Sequence, residues 1–273
     1  MGLMPVGILG GMGPQATVLL MQKVIDAVPA REDDEHVPLL VDQNPQIPSR
    51  LKHLLDGVGE DPGPVLALMA KRLERAGAMA LAMPCNTAHH YAAVIKRASG
   101  LPFLDMIALS VEHAVALKPI AGIVGVLASP AVKKVGVFDA AMKAGGLRPI
   151  FSDNDDALVA AIKSLKSYGP TDGARETLRQ ASAELLAKGA TVQLIACTEF
   201  SLIAEDVAPG VLSFDALDRL ADAIVAFSGA RGGHRTDQAG ALMSPGFGQT
   251  EIKELALADM PASLPGNNGT RRT

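Results

Sequence analysis

Two similar α/β halves, each built on a mainly parallel sheet and facing each other across a cleft, are the fold class this sequence predicts. Three observations predict it. Short apolar runs alternate with helical patterns, one helix–turn–strand–cysteine pattern occurs twice, and apolar residues are plentiful enough to cover both faces of a sheet. Of 273 residues, 48% are hydrophobic and 20% charged, which excludes a disordered or collagen-like chain. The net charge of −4 gives no basic footprint for phosphate backbones, and a chain with no Trp, two Tyr and seven Phe has little with which to stack on bases. Nucleic acid is therefore not an expected partner.

The strands are expected at Pro5–Gly10, Val37–Asp42, Ala78–Met83, Leu101–Asp105, Ala121–Leu127, Thr191–Ala196 and Val211–Asp215. Helical patterns at Pro14–Ala27, Pro64–Ala76, Thr87–Ala98, Asp155–Lys166 and Ala174–Lys188 separate them. Pro14 suits a first helical turn, and Gly77 and Gly189 suit helix ends. From Gly229 onward, repeated Gly and Pro break the periodicity, leaving one short helical pattern at Gln249–Ala258, and residues 229–273 are expected to form a flexible tail. The first residues lack a charged leader and a cleavage site, and the longest apolar stretch, Ile120–Val132, is too short to span a bilayer. With no disulfide framework from two cysteines, a cytoplasmic protein with no membrane partner is expected.

The most informative feature is an internal echo. Leu73, Gly77, Ala78 and Cys85 recur 112 positions later as Leu185, Gly189, Ala190 and Cys197, and Val6, Gly7 and Leu9 recur 118 positions later as Val124, Gly125 and Leu127. The chain divides near Lys118–Gly122. Residues 1–117 with 212–228 are expected to form the first domain and 118–211 the second. Parallel sheets bind ligands at the carboxyl ends of their strands, and the two cysteines occupy equivalent strand ends.

A lone Cys after a buried strand is ordinarily a small core residue. Two at equivalent positions, followed by Asn86-Thr87 and Thr198-Glu199, favour chemistry instead. If Thr87 opens a helix, its free N–H groups would lower the Cys85 thiol pKa. One sulfur on each side of a cleft suits a reaction that inverts a carbon centre, with one thiolate removing a proton and one thiol delivering another. A zinc site using Cys85 with His89 or His90 lacks further ligands at a recognisable spacing, so no metal is expected. A hydrolase using Cys85 with His89 as base leaves Cys197 without a role.

Gly10-Gly-Met-Gly-Pro14 follows the first strand. Gly11 to Ala16 also satisfies the dinucleotide fingerprint, with Asp42 as its ribose acid, so an NAD-dependent oxidoreductase is one alternative. A non-catalytic amino-acid-binding protein is another. Arg50 closes a proline-stiffened loop, Asn44-Pro-Gln-Ile-Pro-Ser-Arg50, suited to a bidentate carboxylate clamp.

Taken in order, Gly10-Gly-Met-Gly-Pro14, Asn44-Pro-Gln-Ile-Pro48 with Arg50, Pro84-Cys-Asn-Thr-Ala-His89 and Cys197-Thr-Glu199 resemble the cofactor-independent aspartate/glutamate racemase family, most of all its aspartate branch. The resemblance runs from about Val6 to Phe227. It implies pseudo-twofold domains around an active-site cleft, no cofactor and a small acidic amino-acid substrate, while an apolar chain of this size with few charges favours a homodimer. It also implies that Cys85 and Cys197 are the acid–base pair. Met12, Gly13, Asn86, Thr87 and Thr198 become hydrogen-bonding contacts, Arg50 a carboxylate anchor, and Gln46 and Glu199 complete the substrate site. The family lysine falls on Lys166, within Ile162-Lys-Ser-Leu-Lys166, where Lys163 replaces the usual Tyr. Ala128-Ser-Pro-Ala-Val132 departs from the family's Ala-Thr-x-Gly-Thr, losing a glycine and a hydroxyl. The implied function is interconversion of L- and D-aspartate, or a close acidic amino acid, by two-base thiol chemistry.

Overall fold

The protein is described by a computed structural model over residues 2–232, so the expected tail helix at Gln249–Ala258 lies outside the described residues. The first half contains β1 (Val6–Gly10), α1 (Pro14–Asp26), β2 (Leu39–Gln43), α2 (Arg50–Leu54), α3 (Gly63–Arg75), β3 (Ala80–Ala82), α4 (Ala92–Ala98), β4 (Phe103–Leu104) and α5 (Met106–Ala116). The second contains β5 (Ile123–Leu127), α6 (Pro130–Val135), α7 (Asp139–Ala144), β6 (Arg148–Ile150), α8 (Asp155–Tyr168), α9 (Asp172–Ala187), β7 (Val192–Ile195), β8 (Leu212–Asp215) and α10 (Ala216–Ser228).

Two four-stranded sheets result, in the orders β2-β1-β3-β4 and β6-β5-β7-β8, with every pairing parallel. The second order repeats the first strand for strand, as the internal echo requires. The inner strands β1, β3, β5 and β7 are buried along nearly their whole length, because helices cover both sides of a parallel sheet, while the edge strands β2 and β6 are only partly covered. Val6 and Ile8 of β1 and Val124 and Val126 of β5 share one central core with residues of α5 and α10. Leu9 and Leu81 face α3 in a second core, while Leu127 and Ile195 face α8 and α9 in a third.

The echo has a steric cause. A Cβ on Gly7 would come within 2.9 Å of Ala78 Cβ and 3.1 Å of Leu73 Cβ. One on Gly125 would come within 3.1 Å of Ala190 Cβ and 3.2 Å of Leu185 Cδ1. In each half a bare glycine on the central strand therefore lets the helix end and its following turn pack onto the sheet, and the same glycine, leucine and alanine are selected twice.

The structure departs from the sequence reading in several places. β6 is three residues long and carries Pro149, too little pattern for a period-two signal. α5 is packed into the central core and is apolar over much of its surface, so little amphipathic contrast marks it, whereas α10, packed there too, keeps an amphipathic pattern that the sequence reading left unassigned. Their starts are instead fixed by Asp105, which accepts the N–H groups of Ile107 and Ala108, and by Asp215, which accepts that of Leu217. The expected return to the first half at residue 212 comes at Ala216: β8 pairs with β7, and only α10 crosses to pack on α1 and α5. The helix expected over Thr87–Ala98 is a five-residue 3-10 turn, Thr87–Tyr91, followed by α4.

Because the glycines are in close contact with fixed neighbours, Gly125→Ala is expected to lower unfolding free energy by about 1–3 kcal/mol, with Gly7→Ala comparable. Urea unfolding at unchanged m-value measures this; an unaltered midpoint for both would show that the helix-to-sheet approach does not depend on them.

Candidate active site

Cys85 lies just beyond the carboxyl end of β3, and Cys197 just beyond that of β7. Both are free thiols, each 7% exposed. Cys85 packs with Leu9, Met12 and Ile47 of the first half, and Cys197 with Leu127, Ile195 and Phe200 of the second. The two strand edges are in contact. Thr87 Oγ1 lies 3.1 Å from Ser129 Oγ, the Gln15 side chain donates to the Lys166 carbonyl at 3.4 Å, and Lys134 Nζ donates to the Leu55 carbonyl at 2.7 Å. A Cβ on Gly13 would lie 3.7 Å from Glu199 Oε1, so the glycine loop of the first half runs beside a carboxylate of the second.

The surroundings of the two sulfurs differ. Cys197 Sγ donates to Glu199 Oε2 at 3.2 Å, and Glu199 Oε1 pairs with Lys166 Nζ at 3.3 Å. Burial pushes the Cys197 thiol well above its ordinary value, and the Glu199 carboxylate adds to that rise while Lys166 opposes it. The position equivalent to Glu199, two residues after Cys85, is Thr87, whose hydroxyl turns to Ser129 across the cleft.

Among the remaining expected residues, Asn86 is 2% exposed and both atoms of its side-chain amide lack a hydrogen-bond partner. A buried amide in that state is poised to take a ligand's polar groups. Thr198 is buried beside Cys197. Arg50 opens α2, donates to the Ile47 and Pro48 carbonyls, and keeps a buried Nε without a partner. Met12 is a core side chain, so any ligand contact at this position belongs to its main chain. The Gln46 side chain is exposed, while its N–H binds the Asn44 side chain. Of the two lysines on α8, the ion pair with Glu199 brings Lys166 to this edge.

Residues 9–224 match the model of the Asp/Glu/hydantoin racemase family. The chain belongs to that family. It is an amino-acid racemase, hence an isomerase. The broad specificity amino-acid racemase RacX of Bacillus subtilis is 25% identical over 237 residues, covering 81% of this chain and 96% of that one. The aspartate racemase of Picrophilus torridus has 27% identity and a TM-score of 0.74, covering 84% of this chain and 96% of that structure. An aspartate racemase homologue from Pyrococcus horikoshii shares the fold at 20% identity and a TM-score of 0.64, over 82% of this chain and 99% of that one.

Several expectations about the racemase need revision. The dinucleotide reading requires free groups that are engaged here. The Gly11 N–H is taken by Thr17 Oγ1 at 2.9 Å, a Cβ on Gly11 would lie 2.4 Å from the Asn44 main chain, and Asp42 is paired with Arg72 at 2.6 Å. The expected helix dipole at Thr87 is replaced by the short 3-10 turn, which offers no aligned α-helical start. His89 cannot serve as base to the Cys85 thiol, because both its ring nitrogens are bound to main-chain groups. Among the described residues no group of three or more His, Cys, Asp or Glu forms a metal cluster, and no helix is long and apolar enough to cross a membrane. Sequence reasoning missed Gln15 and the use of Ser129. The hydroxyl of Ser129 was visible in the departing loop, but its reach to Thr87 was not. Tyr91 was also missed; it is buried beside Ile47, its hydroxyl is without a partner, and burial, followed by Asp61, pushes its pKa up to about 12.

The Glu199 carboxylate disfavours the Cys197 thiolate, so removing its charge lowers the thiol pKa and raises the thiolate fraction at a given pH. Glu199→Gln is therefore expected to speed iodoacetamide alkylation of Cys197 at pH 8, and Lys166→Met to slow it, as followed by mass spectrometry. Opposite signs would show that the pair does not govern this thiol.

Proposed function

We propose that the racemase interconverts the L and D forms of aspartate, or of a close acidic amino acid, with Cys85 and Cys197 as its two proton-transfer groups. The observation that supports this reading most is the placement of two buried free thiols at equivalent carboxyl edges of two sheets that are in contact. In this reading one sulfur enters as thiolate and takes the α-proton, while the other, as thiol, gives its own proton to the opposite face. The product is the other enantiomer, and the protonation states of the two sulfurs have exchanged. No cofactor enters the step, since the thiols supply both acid and base.

The bond from Cys197 to Glu199 favours the protonated sulfur, which supports a reading in which Cys197 starts as the thiol that delivers the proton. When the roles reverse, Lys166 offsets the negative charge that then lies beside Glu199. The carbanion formed at Cα delocalises onto the α-carboxylate and needs fixed donors in a dry site. The Asn86 amide and the Thr198 hydroxyl are the groups beside the sulfurs able to supply them. Arg50 and Lys166 are the cations that favour a substrate with a second carboxylate. The aspartate racemase of Picrophilus torridus supports that choice, whereas the Bacillus subtilis relative, by its name, acts on a broader set.

Incubation of an amino-acid panel in D2O tests substrate and chemistry together. Aspartate is expected to gain α-deuterium and the opposite configuration, with neutral and basic amino acids slower. Cys85→Ser and Cys197→Ser are each expected to cut racemisation at least about 100-fold with the fold retained. Normal racemisation by both variants overturns the two-thiol mechanism, and equal labelling of neutral amino acids overturns the acidic substrate.

A further inference from the structure

Each cysteine is followed, four residues later, by a residue that ties it to a neighbouring helix. His89 holds that place after Cys85 and Ser201 after Cys197, and the two stand 112 positions apart, as the cysteines do. His89 Nδ1 lies 2.9 Å from the Cys85 carbonyl oxygen, and the Met106 N–H donates to His89 Nε2 at 3.2 Å. Because Nε2 accepts, the ring proton sits on Nδ1 and is donated to the Cys85 carbonyl. Met106 is the first residue of α5, and its capping residue Asp105 lies 3.9 Å from Nε2. The imidazole is 1% exposed and packs at a tilt on Phe103. Burial lowers its pKa, with Asp105 and the Cys85 carbonyl opposing, so the ring is neutral.

The second half builds the same link with different chemistry. The Ser201 N–H donates to the Cys197 carbonyl at 3.2 Å, and the Ser201 hydroxyl donates to Asp215 Oδ1 at 2.9 Å. Asp215 caps α10, as Asp105 caps α5. In both halves, then, an aspartate at the end of the fourth strand caps a helix, and that capped start is bonded to the residue that holds the cysteine carbonyl. α5 and α10 in turn pack on each other.

We propose that His89 and Ser201 are positioning residues, one for each cysteine, which fix the cysteine main chain to the capped first turns of α5 and α10. The proposal rests on the reading of Cys85 and Cys197 as proton-transfer groups. Neither residue meets the substrate: both nitrogens of His89 and the hydroxyl of Ser201 are used within the fold. The paired helices then form the rigid path that sets one sulfur relative to the other. Displacing a reacting group by about 1 Å can cost about 100-fold in rate, so a link of this kind acts on kcat.

The test compares His89→Asn, His89→Leu and Ser201→Ala in the full chain. Asn keeps an N–H donor near the position of Nδ1; Leu keeps bulk without a donor. His89→Leu is expected to lower kcat at least about tenfold with KM within about threefold, and His89→Asn to recover most of the loss. Ser201→Ala keeps the main-chain bond to Cys197 and is expected to lower kcat by a smaller factor. A second readout needs no substrate: the rate of iodoacetamide alkylation at Cys85 is expected to change at least about threefold in His89→Leu, to return in His89→Asn, and to leave Cys197 unaffected. If alkylation and kcat respond in this way with a neutral or basic amino acid while aspartate is not racemised, the positioning role stands and the acidic-substrate reading fails. Wild-type kcat and wild-type Cys85 alkylation in His89→Leu overturn the proposal, as does failure of His89→Asn to restore either. Should His89→Leu not fold, Ser201→Ala decides: a lowered kcat at unchanged KM supports the proposal, and an unchanged kcat overturns it.

Discussion

The absence of a side chain at two positions governs the architecture. Gly7 and Gly125 sit on the central strands where the Leu73–Ala78 and Leu185–Ala190 turns must press against the sheet. That close approach determines where β3 and β7 begin, and so where Cys85 and Cys197 emerge. A methyl group at either glycine would come closer to these neighbours than an ordinary van der Waals contact, so the returning helix would have to shift outward. The proposed two-thiol chemistry would depend on this spacing, because a proton transfer tolerates little error in the position of the donor atom.

From that symmetric frame the two halves diverge in chemistry. Cys197 is bonded to a buried carboxylate, itself balanced by Lys166, whereas the matching position after Cys85 holds a threonine that reaches across to Ser129. Symmetry puts two like groups at equivalent strand ends, and the side chains around them differ. The same pattern governs their supports. A neutral, buried imidazole holds one cysteine carbonyl, while a main-chain N–H holds the other, with a serine hydroxyl linking it onward. Equivalent backbone positions therefore carry unlike side chains around the two cysteines.

How much was legible in the sequence follows from which signals are local. Strands bounded by turn residues, such as Val6–Gly10 ahead of the glycine loop, and helices with polar outer faces, such as α9, leave patterns that survive without tertiary context. α5 does not, because burial on most sides removes the polar face that would mark it, while α10 keeps an amphipathic pattern that the reading did not use. The placement of β8 was misjudged for a related reason: a strand's partner is a long-range choice, and nothing in Leu212–Asp215 itself names β7.

The sequence by itself determined the α/β class, the duplication and the two cysteines at matching strand ends, since each is written as spacing along the chain and repeats at fixed intervals. It also carried the motifs by which the family resemblance was drawn. Only the tertiary structure decided that Glu199 holds the Cys197 proton, that Lys166 rather than Lys163 pairs with it, and that Asp42 is occupied by Arg72. It alone decided, too, that His89 braces a backbone instead of activating a thiol. These are contacts between side chains from separate elements, and their energies depend on burial and direction, quantities that exist only once the chain has closed on itself.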